Sequence, residues 1–350
     1  PAPLHGRRVV PLAILRTEIV EKVDGGFGNC MRLMLRHCFV EDFGGDELST
    51  RGVAVVLDDR TALVLIDFGK CIADLAGIQY FWNHKGSSGI LPCFKCKNLV
   101  SKQCGLAGVD SYLVTHSCTD PNRFDISSDE DVWRKFDTLA EQLSLICKGD
   151  YEELERTVGF TFNACGVLSD LELRQFVKPS STVFDWMHTA LQHGVVTVDF
   201  HLFFQRCKKQ HNITFPDTQV ILDANWAWPK HIGSLARQKV NGFFSENREK
   251  SCALEFKAMA SEMLTIFPLV RYFAEKVAQP LGNLDKECKS LLLACEVLDE
   301  LLLARRQCAD SKMLEAALRS HLDAHMASYG EDNLKPKHHA IWHALFDLFR

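Results

Sequence analysis

At 350 residues, 47% hydrophobic and 24% charged, the chain holds enough apolar material for one large domain or two of ordinary size, which excludes a disordered or fibrous protein. A net charge of −5 excludes a global positive field, so any contact with nucleic acid must come from local basic clusters. The apolar run Val9 to Leu15 stops at Arg16 and Glu18, no other run approaches the roughly 18–20 residues of a membrane helix, and no membrane partner is expected.

In chain order, apolar spacing predicts helices over Val9–Glu21 and Asn29–Phe39, separated by the Gly25-Gly26-Phe27-Gly28 turn. Val53–Leu57 and Ala62–Ile66 read as a hairpin turned by Asp58-Asp59-Arg60. A strand-like stretch leads to Asp74, a helix is expected over Asp74–Asn83, and Lys85 to Gly89 is loop chemistry. Ser128, with Asp131 three residues on, opens a capped amphipathic helix. Helical periodicity continues over 167–177, 185–210, 241–278, 285–308 and 310–328, and a short apolar helix closes at Phe349. The reading is α+β or α/β in front and all-α behind.

Four constellations carry chemistry. Cys93 and Cys96 have the C-x2-C spacing from which one tight turn offers two thiolates to Zn2+. They are half a tetrahedral site; His84, Cys104, His116 and Cys118 are candidates for the rest, with His116 and Cys118 preferred. The fourteen cysteines otherwise read as reduced, intracellular thiols, mostly small core residues. Asp185 is placed as the N-cap of a helix, which leaves His188 unexplained. Glu262 lies among small and apolar helix residues, where a carboxylate wants a partner or a metal. The turn Lys335-Pro336-Lys337-His338-His339 suits phosphate contact, and His339 with His343 has the i,i+4 spacing for sharing a metal, though no acid is close in sequence. Further basic clusters for DNA include Lys208 with Lys209. Phosphate-binding glycine loops, H-E-x-x-H and G-x-S-x-G are absent from the sequence, so nucleotide-driven, metalloprotease and hydrolase readings have no anchor.

Taken in order, Asp74, then Pro92-Cys93-Phe94-Lys95-Cys96 nineteen residues on, then Asp185-Trp186-Met187-His188, Ala260-Ser261-Glu262 and Pro336-Lys337-x-His339, the chain resembles the CACTA (En/Spm-like) transposases, especially their divergent protist relatives. That resemblance implies a ribonuclease-H-like core with an inserted, largely helical domain and a helical C-terminal region. The corresponding segments are 1–127 with a zinc-binding insertion, 128–235 carrying D-x-x-H, and 236–350 carrying the third acid. By the same resemblance Asp74 is the second catalytic acid and Glu262 the third, Asp185 and His188 support the site, Cys93 and Cys96 hold structural zinc, and Mg2+ or Mn2+ serves catalysis. It further implies DNA, the transposon ends, as partner, homo-oligomerisation and a nuclear location. The first acid of the family precedes the region that Val9–Phe39 resembles; here Asp67 is the best substitute. The expectation is thus an N-terminally truncated, decayed or domesticated copy. A zinc-stabilised DNA- or protein-binding module without catalysis, or a purely helical interaction protein, are the alternatives.

Overall fold

The computed structural model describes residues 17–40, 53–57, 60–64, 68–101, 104, 112–114, 120–225, 242–305 and 310–348. Two short helices, α1 (Thr17–Val20) and α2 (Gly26–Phe39), come first. The expected hairpin follows as β1 (Val53–Leu57) and β2 (Arg60–Val64), antiparallel with Leu57 opposite Arg60. Next are β3 (Cys71–Ala73), α3 (Leu75–Trp82), β4 (Leu99–Val100) and β5 (Leu113–Val114). Then α4 (Asp129–Gln142) and α5 (Lys148–Val158) lead to β6 (Thr182–Phe184). The rest is helical: α6 (Trp186–Leu191), α7 (Val195–His211), α8 (Phe215–Asn225), α9 (Glu246–Ser251), α10 (Ala260–Phe273), α11 (Asp285–Arg305), α12 (Ser311–Tyr329) and α13 (Pro336–Leu348). The fold is a mostly helical α+β arrangement with few, short strands.

Local chemistry explains most boundaries. Ser128 and Asp131 form the expected reciprocal capping box on α4, satisfying two N-terminal donors at once. Asp74 and Asp185 cap α3 and α6, accepting from Gly77 N at 2.6 Å and Met187 N at 2.9 Å. The helix expected over 185–210 is broken at His193, whose φ is +50°, and at Gly194, where a Cβ would lie 2.3 Å from Thr189 O. The expected 167–177 helix is two single 3-10 turns, because Asp170 is drawn to Arg36 and to Leu173 N instead of leaving the chain to coil. The segment 241–278 is likewise not continuous: Ser245 caps a short α9, and Phe256 N then bonds Thr197 O on α7, which pulls 252–259 out of helix. The first expected helix, Val9–Glu21, lies outside the described residues except for 17–21.

Two hydrophobic cores result. One joins α2, α3, α4 and β6 with Ala340 and Ala344 of α13, around Trp82, Phe136 and Phe160. The other gathers α6 to α13 around a phenylalanine cluster in which Phe204 stacks against Phe203, Phe215, Phe244, Phe256 and Phe273. Each such ring, fully buried, contributes about 1.5–3 kcal/mol of transfer free energy. The first core draws its buried residues from Leu35 to Phe184 and from α13, which contributes to both cores.

What positions the site is the parallel pairing of β3 with β6, Ala73 opposite Phe184. Parallel strands end on the same side, so Asp74 and Asp185, each one residue further on, stand side by side; Asp185 N donates to Ala73 O at 3.0 Å. Trp82 Nε1 ties α3 to this pair through Thr182 Oγ1 at 2.8 Å.

Candidate metal centre and acidic strand edge

The Cys93–Cys96 turn packs against one face of α13. There His339 and His343, one helical turn apart, point the same way. All four side chains are buried, Cys96 completely. Cys96 Sγ lies 3.4 Å from His339 Nε2 and 3.3 Å from His343 Nε2; Cys93 Sγ lies 3.5 Å from His343 Nε2; the two Nε2 atoms are 3.0 Å apart. Zn–S bonds of about 2.3 Å and Zn–N bonds of about 2.05 Å set tetrahedral edges near 3.6 Å for S–N and 3.3 Å for N–N. The observed separations fall a few tenths of an ångström short of those edges, and all four donor atoms lie within 4.8 Å of one another, close enough for one ion to reach them all. Burial opposes ionisation of Cys93, but hydrogen bonding with Cys96 and the nearby His343 and His339 imidazoles outweighs it and holds the thiol well below its ordinary range. Burial pushes His343 down, so its ring is the neutral imidazole a metal takes.

The surroundings fix these ligands. Phe124 packs 4.5 Å from the His339 ring and Phe184 5.7 Å from that of His343. Lys95, between the cysteines, reaches Thr182 O on β6 and pairs with Asp347 on α13 at 2.6 Å. That bridge clamps the cysteine turn, the strand pair and α13 together. Among the described residues Cys93 and Cys96 thus meet two further donors, His339 and His343, a set that could hold a metal ion such as zinc; His116 and Cys118, the donors preferred from the sequence, lie outside the described residues. His84 stands outside this group of four. Its Nδ1 accepts from Gly86 N at 3.1 Å, between Phe94 and Phe160.

Beside this centre is a cavity of about 370 Å³ whose lining includes Leu75, Phe94, Phe184, Glu255, Lys335 and Lys337. Lys337 is half-buried, and its ammonium donates to His188 O at 2.9 Å and Gln192 O at 2.5 Å. Burial lowers its pKa, opposed by the carboxylates of Glu255, Asp74 and Asp185. The charges of three acids from distant parts of the sequence therefore act on one ammonium. Asp185 also binds His188 Nδ1, and Glu255 binds His193 Nδ1. Asp74 Oδ2 and Glu255 Oε2 have no hydrogen bond among the described residues, leaving hard oxygen donors of the kind Mg2+ takes.

Other expected residues stand elsewhere. Glu262 returns its carboxylate to Met259 N at 2.8 Å in the first turn of α10, and no hydrogen bond or ion pair among the described residues joins it to Asp74 or Asp185. Glu255, which carried no sequence signal, is the glutamate at the cavity. Lys208 pairs with Glu249 at 2.6 Å, and Lys209 is exposed at the end of α7. Lys337, expected on phosphate, is engaged by the protein's own carbonyls.

No helix of the described residues is long and apolar enough to cross a membrane. No protein family, curated protein or solved structure matches the chain.

Proposed function

We propose that this chain is a zinc-stabilised part of a CACTA-type transposase, whose Asp74–Asp185 strand edge serves DNA strand cleavage and transfer. The observation that supports this reading is the meeting of its scattered motifs: the acid at 74, the D-x-x-H at 185–188, the cysteine turn and the Pro336–His339 segment all adjoin one parallel strand pair. Zinc at Cys93, Cys96, His339 and His343 is structural, since four protein donors leave no open position. Asp74, Asp185 and Glu255 are the carboxylates for Mg2+ or Mn2+, with Glu255 taking the place first expected of Glu262. Divalent ions at such a site activate the attacking oxygen and stabilise the leaving oxygen of an in-line displacement at phosphorus. The chain's own part is positional. Asp185 orients the His188 ring, and Lys337 brings positive charge to the side of the cavity on which the three acids act. Lys208, Lys209 and Lys335 are the basic groups for the DNA backbone, in a nuclear protein that assembles with further copies on transposon ends.

The test is Mn2+ binding followed by electron paramagnetic resonance, together with nicking of supercoiled plasmid DNA in Mg2+ or Mn2+. Asp74→Asn, Asp185→Asn and Glu255→Gln should each weaken Mn2+ binding and abolish nicking, with Glu262→Gln close to wild type. Nicking that survives Asp74→Asn and Asp185→Asn sinks the catalytic assignment.

One observation favours a second reading, a DNA- or protein-binding module without chemistry. The Lys337 ammonium is already engaged by two carbonyls of the chain, and both aspartates serve as helix caps. DNA retention that is independent of divalent ions, without nicking, is the result that selects it.

A further inference from the structure

The helical core encloses a second group of metal-type donors that takes no part in the strand edge or the Cys/His centre. Asp199 on α7 is fully buried, as are His321 and His325, one turn apart on α12. Ligand atoms of these three residues all lie within 4.8 Å of one another. His321 Nε2 is hydrogen bonded to Asp199 Oδ2, His325 Nδ1 lies 3.2 Å from Oδ1, and Ser290 Oγ of α11 donates to Oδ1 at 2.8 Å.

A carboxylate in such a place needs compensating positive charge, because taking it out of water costs several kcal/mol. No Lys or Arg pairs with it among the described residues. A single protonated histidine would balance the charge, but hydrogen bonding leaves too much unmet. Beside the triad, His338 Nε2 and the Tyr329 hydroxyl are buried without a partner. The His338 ring lies 4.8 Å from that of His325, and the Tyr329 ring 5.1 Å.

The tautomer of His338 sharpens the picture. Its Nδ1 accepts from Lys335 N at 3.0 Å, so in the neutral ring Nε2 carries the proton and donates. His338 is therefore not a ligand. Its Nε2–H and the Tyr329 hydroxyl are groups that a water in a fourth coordination position would satisfy. Two imidazoles and one carboxylate, in a dry setting with spare polar groups around them, are a zinc-type donor set.

We propose that Asp199, His321 and His325 form a second, buried site for a divalent ion of the zinc class, joining α7 to α12. It is separate from the Cys/His centre and does not depend on the transposase reading. The experiment is metal analysis of the purified full chain by mass spectrometry. Two zinc ions per wild-type chain, and one in His325→Gln, are expected. One or none in the wild type, or two retained in His325→Gln, overturns the proposal. Should His325→Gln fail to fold, His321→Gln is read in the same way, and the wild-type count stands by itself.

Discussion

Removal of zinc from the Cys/His centre is the perturbation with the largest expected effect. A metal held there would join Cys96 to His339 across 243 residues of chain. In the chain-entropy treatment of cross-links, closing a loop of that length removes about 18 cal/mol/K from the unfolded ensemble, or about 5.5 kcal/mol at 25 °C. That is comparable with the entire stability of an ordinary domain, roughly 5–15 kcal/mol. Cys96→Ser keeps the shape of the side chain but removes a soft thiolate that is completely buried. The loss should appear first where the centre is anchored, in the packing of α13 on β6. Trp342, fully buried next to His343, is a built-in reporter. Urea unfolding followed by tryptophan fluorescence, to which Trp342 contributes as one of six, alongside zinc content, should give a much lower midpoint for Cys96→Ser and for wild type stripped by chelator. The two should agree, because they lose the same cross-link. A Cys96→Ser protein that keeps the wild-type zinc content and midpoint would refute the assignment of these four donors.

Three further outcomes are expected. Lys337→Met removes the ammonium from two carbonyls and three carboxylates and should cost about 2 kcal/mol in urea unfolding, the scale of a charged hydrogen bond; an unchanged midpoint would mean that the acids do not depend on it. Phe203→Ala opens a void between Phe204 and Phe273 and should cost about 3–5 kcal/mol, with a loss near zero showing that the helical core is not packed as described. Burial pushes His84 down from 6.5 to about 4, so the folded protein resists a proton that the unfolded chain accepts. Stability from this group is complete above pH 6.5 and is lost as pH falls toward 4, on the order of 3 kcal/mol in all. His84→Gln should flatten that part of the stability profile, and an identical slope in the variant counts against a neutral buried ring.

Much of the local architecture was legible in the residues. The Ser128–Asp131 box, the cap at Asp185, and the long helices of the C-terminal half depend on groups within a few positions of each other. Sequence spacing misjudged 167–177 and 241–278, because there Arg36 and Thr197, from other elements, compete for the local polar groups. Each half of the metal centre was also visible. Two thiols three residues apart share a turn, and two histidines four apart share a helix face, whatever the rest of the chain does.

Only the tertiary structure decided that these halves form one centre. Their approach depends on α13 lying against β6, which no local pattern encodes. The same holds for the acids: strand pairing sets Asp74 beside Asp185, the loop before α10 brings Glu255 to Lys337, and Glu262 is kept by its own helix end. Asp199, which reads in sequence as an isolated acid within an apolar helix, meets His321 and His325 only once α7 and α12 share a core. Short-range geometry is fixed by covalent spacing, whereas which distant donors converge is fixed by how apolar faces choose to pack.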